Sequence, residues 1–249
     1  MLGDLVVRGE GQDVRPLGHA GRVIAMVAIR ASGVHVGELI EALWPDAPDG
    51  VGRTRLRNVL SRSRHLSNSV LRRDGDIIRL VDEIEVDVVE FEREGHNALR
   101  QAAAGDDDAP QSARAALSRF GGELVPALRY DDWLVAPRER LRRMHIALLD
   151  LLADDAKSRG DVDEMVAYLE RGITEDPYDE YRYLWAAQAL ADERRRGPAL
   201  RLLDRAAAMV EELGLDVDPR IIDLRFQLET STSTVDRTGI PSSPSVRRR

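Results

Sequence analysis

From Val86 to Leu228 the apolar residues recur at three- or four-residue spacing, and a glycine or proline falls near the end of most runs. A chain patterned in this way folds into packed helices and not into a sheet. The pattern predicts helices over 87–103, 111–120 and 136–159, then over 162–173, 181–194, 198–213 and 219–228. The longest carries its stripe at Leu141, Met144, Leu148, Leu151 and Leu152. The segment AGDDDAPQS reads as a loop with a mobile tip, Gly121-Gly122 ends the second helix, and Asp176-Pro177 breaks the chain between the fourth and the fifth.

The later helices pair. Arg159-Gly160 separates the members of one pair and Arg196-Gly197 those of the next, 37 residues on, with Pro177 and Pro219 closing the units. That spacing is near the tetratricopeptide period of about 34 residues. Small residues such as Ala186, Ala187, Ala206 and Ala207 suit close helix packing. An ordinary helical bundle fits the periodicity as well. Residues 230–249, TSTSTVDRTGIPSSPSVRRR, are almost without apolar content and read as a disordered tail with a basic end.

The first 82 residues are patterned differently. Leu5–Arg8 and Asp13–Arg15 flank GEGQ as a β-hairpin would. Short helices follow over 22–31 and 38–44, joined by an extended Gly33–Val36 link, and Pro45 stops the second. Then comes Val51–Leu80, VGRTRLRNVLSRSRHLSNSVLRRDGDIIRL. Its eight arginines and two aspartates give a charge of +6 in a chain whose total is −8. Such a reversal of sign is expected where a chain meets a phosphate backbone.

Wound as a helix over 53–66, this stretch places Leu56, Val59, Leu60 and Leu66 on one face, with Ser63 among them. Thr54, Asn58, Ser61 and His65 lie opposite. Arg57 and Arg64 flank that row on one side, Arg55 and Arg62 on the other, with Arg53 in the first turn. Short polar side chains toward base edges and arginines toward phosphate or guanine suit a helix lying in the major groove. Asp49 is a candidate N-cap, and Gly50 and Gly52 weaken the first turn by up to about 1 kcal/mol each. Asp74-Gly75 between two β-prone runs predicts a hairpin carrying Arg72 and Arg73. Helix then hairpin, both arginine-rich, is the order of a winged helix. The plainer reading is a solvated basic helix on a globular protein.

The sequence argues against other classes. It has no cysteine, hence no disulfide or thiolate metal site, which fits a cytoplasmic protein. No apolar run reaches the roughly 18 residues of a membrane span, and MLGDLVVRGEG does not read as a signal peptide. His19, His35, His65, His96 and His145 show no ligand spacing, Asp106–Asp108 lacks alternating ligands, and HExxH, GxSxG and P-loop motifs are missing. Neither an enzymatic activity nor a cofactor or metal is expected.

Several segments, in order, resemble the bacterial transcriptional activator domain proteins of actinobacteria, whose best-known members are the antibiotic regulatory protein (SARP) family. They are Glu38–Asp46 (ELIEALWPD), Leu60–Arg64, Val86–Glu92 and, most specifically, Asp131–Leu141 (DDWLVAPRERL) and Glu211–Pro219 (EELGLDVDP). Leu rather than Ser63 is usual in the family, and another Leu stands near Ser67. The resemblance implies a mainly α protein: an N-terminal α+β winged helix of the OmpR type over 1–82, an all-α tetratricopeptide-like domain over 83–229, and the tail. It implies a regulator that binds double-stranded DNA promoter repeats. RNA polymerase subunits and a second copy of the chain are its further implied partners. The recognition role falls on Thr54–His65 and the wing on Leu71–Arg79. The alternative is an interaction module whose winged helix no longer reads DNA.

Overall fold

In the computed structural model the chain is mainly helical, with one small antiparallel sheet. The structure describes residues 1–8, 13–16, 18–30, 32–48, 50–62 and 70–230. They pack as two units, one from Met1 to Leu151 and one from Leu152 onward. No helix among the described residues is long and apolar enough to cross a membrane.

The first unit begins with helices α1 (Gly18–Ala28), α2 (Val36–Leu43) and α3 (Val51–Arg62). Strand β1 (Val34–His35) precedes α2, and β2 (Leu71–Asp74) and β3 (Ile77–Leu80) form a hairpin after α3. The sheet order is β1-β3-β2, with Val34 opposite Ile78 and Leu71 opposite Leu80. The link expected at 33–36 is thus a strand, because the hairpin offers it an edge. Gly33 makes this possible. Its φ is +83°, and a Cβ there would lie 2.7 Å from the Ile78 carbonyl oxygen. The expected hairpin at 5–15 is reduced, among the described residues, to one bridge in which Val7 and Val14 exchange two hydrogen bonds of 2.9 Å.

A compact core joins these pieces: Val23, Met26 and Val27 from α1, Leu39 from α2, Leu56 from α3 and Ile78 from β3. Two histidines serve this frame. His35 Nδ1 accepts from the Gly37 amide at 3.0 Å and caps α2, and His19 Nε2 accepts from the Trp44 indole at 2.9 Å.

Helices α4 (Asp87–Ala103) and α5 (Ala109–Arg119) then form an antiparallel pair. The second starts inside the segment read as a loop, where Pro110 suits the first turn of a helix. Two short 3-10 turns, Pro126–Leu128 and Asp132–Leu134, lead into α6 (Val135–Ser158). Gly95 lets α4 approach α6 closely, since a Cβ there would meet Met144 Sδ at 2.6 Å. Of the stripe expected on α6, Leu141, Met144, Leu148 and Leu152 are buried. His145 is buried too, stacked on Phe120 with ring centroids 3.9 Å apart.

The second unit holds the end of α6 with α7 (Val162–Glu175), α8 (Glu180–Asp192), α9 (Arg196–Glu212) and α10 (Pro219–Thr230). Leu169, Ile173, Leu203 and Ile221 fill its core, and Ala186, Ala187 and Ala206 are fully buried where helices cross. Asp161 caps α7 by accepting from the Glu164 amide, and Asp179 caps α8 by accepting from Tyr181. The expected tail lies, from Ser231 on, outside the described residues.

Candidate nucleic-acid interface

Helix α3 divides as its periodicity requires. Leu56 is buried and Val59 and Leu60 half-buried, while Arg53, Thr54, Arg55, Arg57, Asn58, Ser61 and Arg62 are all exposed. Gly52 sets how α3 lies on α2, because a Cβ there would come within 2.2 Å of Ile40 Cγ2. The glycine that weakens the first turn therefore allows the helices to cross. Arg64 and His65, the Ser63 and Ser67 departures, and the Asp49 cap lie outside the described residues.

The exposed residues fall into two rows. Arg53, Arg57 and Ser61 face the hairpin and share with Arg72 and Arg73 a cleft of about 360 Å³. Thr54, Arg55, Asn58 and Arg62 lie on the outer side by the helical period. Thr54 Oγ1 donates back to the Gly50 carbonyl at 3.3 Å. The structure thus brings five of the expected residues to one cleft and leaves four on an open helix face.

Electrostatically the arginines differ. Asp76 holds Arg53 at 3.5 Å and Arg73 at 3.2 Å, and Arg73 Nε also donates to the Gly75 carbonyl at 2.7 Å. Arg72 lies 3.6 Å from Asp74 and 3.1 Å from Asp82, and Arg79 lies 3.2 Å from Asp74. Arg55, Arg57 and Arg62 have no acidic partner among the described residues. No group of three or more His, Asp or Glu able to hold a metal occurs among them either.

A second set of polar contacts, which the charge pattern did not mark, ties the α1–α3 portion to the segment before α6. Arg22 of α1 donates through Nε to Asp131 Oδ2 at 2.8 Å. That hydrogen bond, helped by the charge of Asp131 and opposed by burial, raises the Arg22 pKa above its ordinary value. Gly3 donates to the Glu123 carbonyl and Val125 to that of Met1, at 2.9 and 3.0 Å. Arg138 of α6 fixes the segment from the other side. It donates to the carbonyls of Leu124 and Val125 at 2.9 Å and of Arg129 at 3.1 Å. In the sequence, the DDWLVAPRERL segment holds two of these residues, Asp131 and Arg138.

The described residues are thus mainly helical, with a small α+β portion at the start whose helix α3 and hairpin carry the exposed arginines. The chain belongs to the bacterial transcriptional activator domain family, whose model matches residues 86–228. That family is one of transcription regulators, not enzymes. Among solved structures the chain is similar to Mycobacterium tuberculosis EmbR in complex with a low-affinity phosphopeptide, with a TM-score of 0.72 and 23% identity. The match covers 92% of this chain and 64% of that one, and shows a shared fold. A weaker likeness, TM-score 0.39 and 12% identity, is to the C-terminal TPR-containing domain of a Plasmodium falciparum FK506-binding protein. It covers 61% of this chain and 92% of that one. None of the curated proteins matches.

Proposed function

We propose that the chain is a DNA-binding transcriptional regulator, an activator by its family, acting in the cytoplasm. In this reading residues 1–82 are a winged helix, with α3 entering the major groove and β2–β3 as the wing. Thr54, Asn58, Ser61 and His65 face base edges. Arg55, Arg57, Arg62 and Arg64 reach phosphates or guanine, with Arg53 at the helix start, and Arg72 and Arg73 set the wing on the adjacent backbone. Residues 83–229 form the tetratricopeptide-like activation domain, which contacts RNA polymerase or a second protomer on repeated sites. The observation that carries the reading is the segregation on α3: Leu56, Val59 and Leu60 pack on the core while every described polar and basic residue of the helix is exposed.

The test is binding to a duplex pool from the source genome at several salt concentrations. Enrichment of repeated sites, with affinity falling as salt rises, is the expected result. Arg57→Ala should weaken binding and, if it reads a base, relax one position by about 1–3 kcal/mol. A folded Arg57→Ala variant of unchanged affinity would remove Arg57 from the interface. One observation favours an interaction module instead: the hairpin arginines already have aspartate partners. Absence of binding even at low salt would select that reading.

A further inference from the structure

The segment Asp131–Leu134 has no part in the proposed DNA face, yet it touches the frame that carries that face. Asp131 holds Arg22 at 2.8 Å across 109 residues of chain, and its side chain is only 15% exposed. Two residues on, Trp133 packs against the core in which α1, α2, α3 and β3 meet, while Leu134 is fully buried. The segment itself is held. Asp131 N–H donates to the Leu128 carbonyl at 3.1 Å and Leu134 N–H to the Asp131 carbonyl at 2.9 Å, and Arg138 grips the carbonyls upstream.

A fixed acceptor and an aromatic ring, two residues apart on a braced turn, specify both position and rotation of the body they meet. We infer that Asp131 and Trp133 are positioning residues that lock the α1–α3 portion onto the helical segment, and so set the direction in which α3 presents its basic face. The consequence for DNA rests on the proposed DNA-binding reading, but the lock itself does not. The linker at 81–86 and the first three residues, which pair with Glu123, Leu124 and Asp87, join the two portions but make, among the described residues, no hydrogen bond to helices α1–α3 that would fix their rotation. With the lock in place, two copies held together through their helical parts would present their α3 helices at a fixed separation, as repeated sites require.

The chain has no cysteine, so a spin-label pair can be introduced cleanly. Labels at Glu41→Cys on α2 and Gln111→Cys on α5 report the separation of the portions by pulsed electron resonance. The full chain should give one narrow distance distribution. Asp131→Asn and Trp133→Ala should broaden it, and the exchange Arg22→Asp with Asp131→Arg should narrow it again. Duplex affinity should follow the same order, falling roughly tenfold in Asp131→Asn, the size of one charge-assisted hydrogen bond. Should Trp133→Ala fail to fold, Asp131→Asn and the exchange still decide. A narrow distribution retained in folded Asp131→Asn and Trp133→Ala overturns the inference. Broadening in the variants while the parent binds no duplex supports the lock and refutes the DNA reading instead.

Discussion

Gly52→Ala is the sharpest probe of how α3 is seated. Two effects of opposite sign meet there. Replacing glycine by alanine within a helix gains about 1 kcal/mol in propensity. The added Cβ, however, would lie 2.2 Å from Ile40 Cγ2, more than 1 Å inside ordinary contact. Ile40 is β-branched, so its Cγ2 cannot be swung aside at little cost. Overpacking of this kind costs about 1–3 kcal/mol. The clash should win, for a net loss of up to about 2 kcal/mol. For a chain of this size each kcal/mol lowers the melting temperature by about 2–4 °C. The decisive measurement is a double-mutant cycle by thermal or urea unfolding. In an Ile40→Ala background the obstructing methyl is gone, and Gly52→Ala should turn from destabilising to neutral or stabilising. If Gly52→Ala stabilises the protein with Ile40 still in place, the argument that this glycine exists for the α2–α3 crossing is wrong.

Two further expectations concern the scaffold. Arg138→Met should cost about 2–4 kcal/mol in urea unfolding. It removes donors from three carbonyls around Val125, which at φ 44° sits in a strained left-handed conformation; Arg138→Lys should not restore stability, since one ammonium cannot span three acceptors. Hydrogen bonds from the Arg220 side chain and amide, with the Arg220 charge, hold the Asp218 carboxyl below its ordinary pKa. A lowered folded pKa contributes stability above the unfolded value, near 4, and that stability is lost as pH falls through the folded value. The difference in melting temperature between the parent and Arg220→Gln should therefore be small but constant from pH 7 to about 5, and shrink below about 4. A difference that grew on acidification would contradict this pairing.

The helical part was legible in the sequence because each helix carries its own punctuation. The Gly160 turn and the Pro177 and Pro219 breaks act within a few residues of where they stand, and the Asp161 and Asp179 caps that the structure adds are just as local. What escaped was set by partners distant in sequence. Strand β1 is two residues long and exists because β3 comes to lie beside it. His145 gave no signal as a scattered histidine, yet it is a core residue stacked on Phe120. Gly52 counted against its helix until Ile40 was placed across from it. The Arg22–Asp131 pair joins residues too far apart for any local pattern to link them.

In the sequence the candidate site shows as charge, and the structure divides what the composition sums. The +6 of residues 51–80 is not one uniform surface. Arg53, Arg72, Arg73 and Arg79 are matched by Asp74, Asp76 and Asp82, whereas Arg55, Arg57 and Arg62 project from α3 without an acidic partner among the described residues. A phosphate approaching the hairpin or Arg53 must displace an aspartate before it gains an arginine, while one approaching Arg55, Arg57 or Arg62 need not. Asp76→Asn, which releases both Arg53 and Arg73 at the mouth of the cleft, should therefore tighten binding to any duplex, enriched or not. It should also steepen the dependence of log affinity on log salt by about 0.9 for each additional phosphate engaged. Sequence preference, which the proposed reading assigns to the polar side chains of α3, should relax as the non-specific share grows. Unchanged affinity and slope in folded Asp76→Asn would mean that the hairpin arginines never meet the backbone, and that the helix alone carries the contact.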